Sequence, residues 1–246
     1  MDKIVSMAHD NGHTMTLSGP DGRKIRVRLE VNSKARRLIL RLDERRREAV
    51  AIAPTRRQIK DAAAFAAERV DWISTRLKHL PDIVSFTEGS VISYRGEPCR
   101  LTATGTGRLA RMVAGNPPTL SAPGESATLD LRVMRYLKKQ ARADITRAVN
   151  RHAAQLGVSY KSISVKDTRS RWGSCTAEGA LSFSWRLIMA PPSVLNYVAA
   201  HECAHLLEMN HSPRFWAHVA ACCPDWNRER AWLREHGAEL QAAGEA

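Results

Sequence analysis

The chain has 246 residues, 43% hydrophobic and 26% charged, with a formal net charge of +13. These values are those of a soluble globular protein long enough to bury a core in one large or two small domains. No run of about 18 apolar residues occurs, so no segment is expected to span a membrane. The first 13 residues lack a signal-peptide apolar stretch, and the five scattered cysteines form no disulfide pattern, so a cytoplasmic location is expected.

The positive charge is unevenly distributed. Residues 1–60 carry a net charge of +8 and residues 121–180 carry +6, whereas residues 181–246 carry −2. A basic surface favours polyanionic partners, but a solvated face has the same composition. No helix-turn-helix, RRM or zinc-finger pattern accompanies the charge. Nucleic-acid binding through residues 1–60 and 121–180 is therefore one hypothesis, and a solvated surface is the other.

The first half of the chain predicts short strands and one helix. Residues 14–53 alternate between apolar and polar side chains, which predicts antiparallel strands joined by turns. Helical spacing of apolar residues predicts a helix near 56–80. The segment "GSVISYRGEPCRLTAT" predicts a hairpin around Arg95 and Gly96. Residues 105–125, rich in Gly, Pro, Ala and Ser, predict a loop or weak hairpin and a domain boundary.

The second half predicts a long helix, two strands and a group of shorter helices. Gly157 is placed to end the long helix, and Pro191-Pro192 is placed to open the helix that carries "SVLNYVAAHECAHLLEMN". The predicted helices are 127–156, the one after Pro192, 212–222 and 225–241, and the predicted strands are 162–167 and 180–187. The fold class is therefore α+β. We predict a flexible N-terminus over 1–13, a β-rich part with one helix over 14–125, and a catalytic part over 126–241; the last two can form one unit.

The segment "HECAHLLEMNH", residues 201–211, holds three histidines and two glutamates. His201 and His205 are one helical turn apart, so both imidazoles can reach one zinc ion at about 2.0–2.1 Å. Glu202 is placed beside them to deprotonate a water, which is the chemistry of the HExxH pattern. The spacing therefore predicts a catalytic zinc site.

A third ligand requires the helix to end. In a continuous helix His211 would lie about 9 Å beyond His205 along the axis, out of reach of the metal. Asn210 can adopt the left-handed conformation that ends helices, and Ser212-Pro213 can redirect the chain. The histidine spacing matches HExxHxxGxxH, although Glu208 stands where that signature has glycine. Glu208 is therefore the alternative third ligand, although it lies about 10 Å along the axis from His201.

Two other interpretations of the motif are weaker. The histidines can be surface residues of an amphipathic helix. A structural zinc site is also conceivable, but such sites usually have four protein ligands, often cysteines. Cys203 points away from His205 on the helix and is expected in the core. Cys175, Cys222 and Cys223 are expected to be core or incidental residues.

The segment "RWGSC", followed by "LSFSWRLIMAPPSVLNYVAAHECAHLLEMNHSPRFW", resembles the YgjP-like metallopeptidases, which are relatives of the SprT-like zincins. The resemblance covers roughly residues 20–240 and is specific at 171–175, 201–205 and 210–216. It implies a compact zincin with a small antiparallel sheet over an active-site helix. It further implies zinc held by His201, His205 and His211, with Glu202 as general base.

Other residues receive weaker roles. Zincins commonly bind substrate as an added strand, so we expect the strand near Ala180–Ile188 to be a free edge that borders the cleft. The side chains of Trp172, Trp185 and Trp216 can shape that cleft or belong to the core. Arg186 or Tyr197 can stabilise an oxyanion, but spacing alone supports neither.

The sequence thus predicts a zinc metallopeptidase acting on a protein or peptide substrate. One alternative is the same site tethered to DNA or RNA by the basic regions, cleaving nucleic-acid-bound proteins. A second is a zinc-stabilised binding protein without turnover, against which Glu202 argues, because a structural site has no need of a general base.

Overall fold

A computed structural model describes residues 4–10, 12–44, 46–168 and 171–244. The chain divides into two compact units, Met1–Asp82 and Ile83–Ala246. Among the described residues, no helix has both the length and the apolar character that a membrane span needs. The helices are α1 (Ile59–Glu68), α2 (Val70–Lys78), α3 (Leu129–Leu156), α4 (Pro192–Ala204), α5 (Pro213–Cys222) and α6 (Trp226–Ala242). The strands are β1 (Ile4–Asp10), β2 (Gly12–Ser18), β3 (Lys24–Val31), β4 (Ile39–Asp43), β5 (Glu48–Ala53), β6 (Val91–Tyr94), β7 (Glu97–Ala103), β8 (Arg111–Val113), β9 (Thr119–Ala122), β10 (Ser162–Lys166), β11 (Gly173–Cys175) and β12 (Ala180–Ser184).

The first unit contains a five-stranded sheet in the order β1-β2-β3-β5-β4. The prediction of antiparallel strands is right for β2 with β3 and for β4 with β5, but wrong for β3 with β5, which are parallel. Strands β3, β4 and β5 alternate in direction along the chain. Because β5 lies between β3 and β4 in the sheet, it is parallel to β3 and antiparallel to β4. Local alternation contains no information on that insertion.

Helices α1 and α2 replace the single helix predicted near 56–80, because the backbone leaves helical geometry at Arg69. Helix α1 packs against the sheet through alanines, which permit a close approach of helix and strand. The buried alanines of this contact are Ala49, Ala51 and Ala53 from β5, with Ala62, Ala63 and Ala66 from α1.

The domain boundaries differ from the sequence-based division. Part of the N-terminus predicted to be flexible, residues 1–13, forms β1, whose backbone pairs with β2; residues 1–3 and 11 lie outside the described residues. The predicted boundary between residues 125 and 126 falls inside the second unit, in the connection before α3. The hairpin of β6 and β7 belongs to that unit, and its turn residues Arg95 and Gly96 have positive φ angles of 54° and 83°.

The second unit contains a four-stranded sheet, β6-β7-β9-β8, and a three-stranded sheet, β10-β12-β11. In the latter, β10 is parallel to β12 and β11 is antiparallel, so the sheet is mixed rather than antiparallel as predicted. Strand β12 is central and paired on both sides. The prediction of a free edge over Ala180–Ile188 is therefore wrong, and Trp185–Ile188 forms a buried 3-10 turn.

Helix α3 packs against α4 beneath these sheets, and both contribute to one large core. As predicted, α3 ends at Gly157, which adopts the left-handed conformation with φ of 67°. Helix α4 starts with Pro192 at its first turn, also as predicted. Most of α4 is buried in the core, from Val194 to Ala204, with His201 only partly exposed near its C-terminal end.

Candidate metal centre

Helix α4 carries the first two histidines near its C-terminal end. The helix ends at Ala204, earlier than expected, and its last turn tightens through bonds from Leu206 N to Cys203 O (3.1 Å) and from Leu207 N to Ala204 O (3.0 Å). Among the described residues, the non-glycine residues with positive φ are Arg47 and Arg95, so the prediction of a left-handed Asn210 is wrong.

The chain returns toward α4 through a short loop and helix α5. The side chain of Asn210 accepts a hydrogen bond from Ser212 N at 3.2 Å, which shapes the loop. The side chain of Ser212 caps α5 by accepting from Phe215 N at 3.3 Å, and Pro213 occupies the first helical turn. These local interactions hold His211 beside α4.

The structure brings His201, His205 and His211 together, with donor nitrogens that all lie within 4.8 Å of one another. The Nε2 atoms of His201 and His211 are 3.2 Å apart. Two nitrogens bound tetrahedrally to one zinc ion at 2.0–2.1 Å would be about 3.3 Å apart, so this pair already has the separation that a shared ion needs.

The orientation of His205 suits metal binding. Its Nδ1 donates a hydrogen bond to the backbone carbonyl of Glu208 at 3.0 Å, which leaves Nε2 free with its lone pair. Glu208 is outside the cluster of donor side chains and contributes its carbonyl to this bond.

Aromatic side chains support the histidines. The buried ring of Phe215 lies 4.8, 4.4 and 4.7 Å from the rings of His201, His205 and His211, respectively, measured between centroids. Trp216 lies 5.8 Å from both His201 and His211. Burial lowers the pKa of His201 to about 3, with further lowering from His205 and His211, so its imidazole is neutral and able to donate a lone pair at pH 7.

Glu202 lies on α4 next to the first histidine and is only 5% exposed. Its Oε2 atom is buried without a hydrogen-bond partner. Burial raises the pKa of this carboxyl to about 8, and the charge of Arg171 opposes the shift. A buried carboxyl group without a hydrogen-bond partner is costly in a purely structural position and is typical of functional sites.

Strand β11 lies directly over Glu202. A Cβ atom added at Gly173 would be 2.6 Å from Glu202 Cγ, so a larger residue there would displace the glutamate. The local pattern of the "RWGSC" segment contains no sign that a glycine must face this side chain. This contact could be found only from the fold.

The site opens into a cavity of about 250 Å³. It is lined by Arg171, Trp172, Gly173, Tyr197, Val198, His201, Glu202 and Leu233. Burial raises the pKa of Tyr197 to about 12, so its phenol keeps its proton at neutral pH. An oxyanion-stabilising role for Tyr197 stays a prediction.

Several other sequence-based candidates lie in the core. Arg186 is fully buried, pairs with Asp167 and donates to Ala243 O at 3.2 Å, which fixes it in a structural position away from the cavity. Trp185 is likewise core, whereas Trp172 lines the cavity. Cys203 and Cys223 are buried as expected, and Cys175 and Cys222 are partly exposed.

Comparisons with known proteins identify the family of the chain. No curated protein matches the sequence. The crystal structure of the metallopeptidase zymogen of Pyrococcus abyssi abylysin is similar over 37% of this chain and 95% of its own, with 16% identity and a TM-score of 0.33. The family described as YgjP-like, metallopeptidase domain, matches residues 36–236, which include the histidine cluster, Glu202 and β11. The chain therefore belongs to the YgjP-like metallopeptidases.

Proposed function

We propose that this metallopeptidase is a zinc enzyme of the zincin type, with His201, His205 and His211 as metal ligands and Glu202 as general base. The observation that carries the proposal is the convergence of three imidazoles beside a buried carboxyl without a partner. Neutral imidazoles suit zinc, and three protein ligands leave a position for substrate or water.

A zinc ion in this site supplies Lewis acidity, which polarises a peptide carbonyl and makes water a better nucleophile. Glu202 does the proton chemistry: its carboxylate accepts the proton of the attacking water and delivers it to the leaving amine. The positive charge of a bound zinc ion would favour the ionised form of Glu202, which is the form that accepts the proton. Gly173 keeps the space over the carboxyl open.

We further propose that the substrate backbone pairs with the outer edge of β11, which no described strand covers. Trp172 O accepts from Ser184 N at 2.9 Å, and Thr176 N donates to Ala180 O at 3.0 Å. In an antiparallel ladder these bonds alternate, so the backbone groups of Gly173 and Cys175 face away from β12. An extended peptide can pair with them beside Glu202.

The edge pairing is tested with Cys175→Pro, which removes the outward N–H, against Cys175→Ala as the matched control. We expect the proline variant to lose about tenfold in kcat/KM on a long peptide, the effect of about one lost hydrogen bond, while the alanine variant stays near wild type. Equal activity of the two variants, at equal metal content, would contradict the pairing.

The non-catalytic alternative is a zinc-stabilised binding protein. It gives no reason to bury Glu202 without a partner next to the histidines, since that arrangement reduces stability. The family also favours a hydrolase.

Zinc dependence is tested by metal analysis and by casein hydrolysis. We expect about one zinc ion per chain, loss of hydrolysis after chelation, and recovery on zinc addition. His211→Ala should lose zinc affinity by at least about tenfold, whereas Glu208→Ala, which keeps the carbonyl that orients His205, should bind as wild type does. Zinc binding unchanged by His211→Ala would exclude the three-histidine site.

A further inference from the structure

A second cluster of charged residues lies on α3 and the β7–β8 connection, away from the histidines. Arg108, Arg132, Arg135 and Lys139 line one cavity of about 200 Å³. In the part of the chain that the structure describes, no carboxylate lies within ion-pair distance of any of the four. Mutual repulsion of unpaired cations around a single cavity is relieved when an anion binds.

The basic residues form one continuous face of α3. Arg132, Arg135, Lys139 and Arg142 lie within about 80° around the helix and extend over about 15 Å along its axis. The opposite face, with Val133 and Leu137, is buried in the core, so the helix presents its basic face in a fixed orientation.

The cation nearest the helix start is held in place. Arg132 Nε donates to Thr128 Oγ1 at 3.4 Å. Its guanidinium also lies against Gly124, where an added Cβ would be 2.8 Å from Nε. Gly124 has a φ of +100°, a conformation that favours glycine. The cavity wall is therefore shaped around an arginine whose fork suits a phosphate.

Several basic side chains of the five-stranded sheet in the first unit, unlike those of α3, form ion pairs with carboxylates. Arg28 pairs with Glu48 at 2.9 Å and with Asp43 at 3.2 Å, and Arg26 pairs with Glu48 at 3.4 Å. Much of the charge on the five-stranded sheet is thus neutralised within the unit. Other cations of the first unit, such as Arg56, Arg57 and Lys60, are exposed. The α3 face differs from them because its cations line one cavity together with apolar groups.

Apolar groups in the same cavity indicate the kind of polyanion. Leu109 is 78% exposed and lines the cavity together with Tyr136, whose ring lies 6.2 Å from that of Tyr94. A nucleic-acid duplex shields its bases and would use only the cations, and an acidic peptide has no base to stack. Cations interleaved with aromatic and apolar groups are the arrangement that binds single strands.

We propose that the face formed by Arg108, Arg132, Arg135, Lys139, Tyr136 and Leu109 binds single-stranded nucleic acid, with the phosphates on the cations and a base against the apolar groups. The site does not depend on the metal centre. It would keep a protease at nucleic acid without taking part in hydrolysis.

The test is fluorescence anisotropy with labelled 20-mers of deoxythymidine and of uridine at several salt concentrations. We expect the triple variant Arg132→Ala, Arg135→Ala, Lys139→Ala to bind at least about tenfold more weakly than wild type and to reduce the slope of log Kd against log salt by about 2, for three lost phosphate contacts. Leu109→Ser should weaken binding about threefold, through lost apolar contact, with the slope unchanged.

The matched control removes three exposed cations from the other unit: Arg56→Ala, Arg57→Ala, Lys60→Ala. It lowers the net charge equally and should change Kd less than about twofold if binding is local. A loss as large as that of the α3 variant would overturn the proposal, as would no binding by the wild type at low salt. A duplex that binds as tightly, or polyglutamate that competes as well, would assign the face to another ligand. The two labelled strands tell DNA from RNA.

Discussion

In the first unit the buried carboxylates Asp43 and Glu48 surround Arg28, whereas in the second unit the buried carboxyl of Glu202 has an oxygen without a hydrogen-bond partner. Glu229, also in the second unit and also buried, accepts from Ser193 and Arg228. The unpaired carboxyl is the one beside three histidines. The described structural carboxylates are satisfied by neighbours, and the unsatisfied one lies where the proposed mechanism requires a group that can accept a proton.

The largest expected effect is the loss of stability of the first unit when Arg28 is replaced. Arg28→Met would leave Asp43 and Glu48 buried with reduced charge compensation and should lower the free energy of unfolding of the five-stranded sheet by about 3–5 kcal/mol. Hydrogen exchange of peptides from β3 to β5 measures this. Arg41→Met, at a half-exposed arginine, is the control and should cost less than about 1 kcal/mol. Equal effects would mean that the Arg28 pairs are not structural.

The second prediction concerns Glu202, whose replacement should raise the free energy of unfolding at high pH, whereas replacement of Arg28 lowers it. In the metal-free protein the pKa of Glu202 is about 8 against 4.5 in the unfolded chain, so the folded state binds more protons between these values. The free energy of unfolding therefore falls as pH rises through this window. Between pH 6.5 and 8 the free energy of unfolding of the wild type should fall by about 2 kcal/mol, at about 1.4 kcal/mol per pH unit. Glu202→Gln should not show this fall.

Below pH 6.5 a second group acts in the other direction. Because burial holds the pKa of His201 near 3, the unfolded chain binds the extra proton between pH 3 and 6.5, and stability is lost as pH falls. Chelated wild type, Glu202→Gln and the control Glu229→Gln, each unfolded by denaturant across pH 5–8, separate the effects. Glu229→Gln should destabilise, since it weakens existing hydrogen bonds. If the free energy of unfolding of the wild type does not fall relative to that of Glu202→Gln above pH 6.5, the pKa of Glu202 is not raised.

The smallest effect concerns the space over Glu202. Gly173→Ala must push the glutamate side chain aside, and a small displacement of a general base should lower kcat about tenfold or more with little change in zinc content. Ser174→Ala, on the same strand, is the control and should keep near-normal activity. Full activity of Gly173→Ala would mean that the strand can move away from α4.

Local sequence patterns predict the parts of the site that depend on residues close together along the chain. The HExxH spacing needs only a helix around His201 and His205, and Ser212-Pro213 is a helix start that can be recognised by itself. The sequence pattern predicts that the helix continues to Asn210, whereas α4 ends at Ala204, and the next turn forms tighter bonds from Leu206 N to Cys203 O and from Leu207 N to Ala204 O. No residue preference in "HLLEMN" predicts this change of hydrogen-bond pattern.

The errors in the sheets have a different origin. The apolar alternation of Leu181 and Phe183 predicts a strand but not its neighbours, and both edges of β12 are paired. Pairing of β10 with β12 joins residues 18 apart along the chain, in parallel. The contact of Gly173 with Glu202 likewise depends on how β11 lies on α4, which only tertiary packing determines.

The most direct test of the central claim, that the unpaired Glu202 is the general base of a zinc peptidase, is kcat/KM of zinc-loaded Glu202→Gln on a substrate that the wild type cleaves. The account predicts a loss of about 10²–10⁴-fold with about one zinc ion still bound per chain, since the amide keeps the size of the side chain but cannot accept the proton. Activity within a few fold of wild type, or loss of the zinc together with the activity, would contradict it.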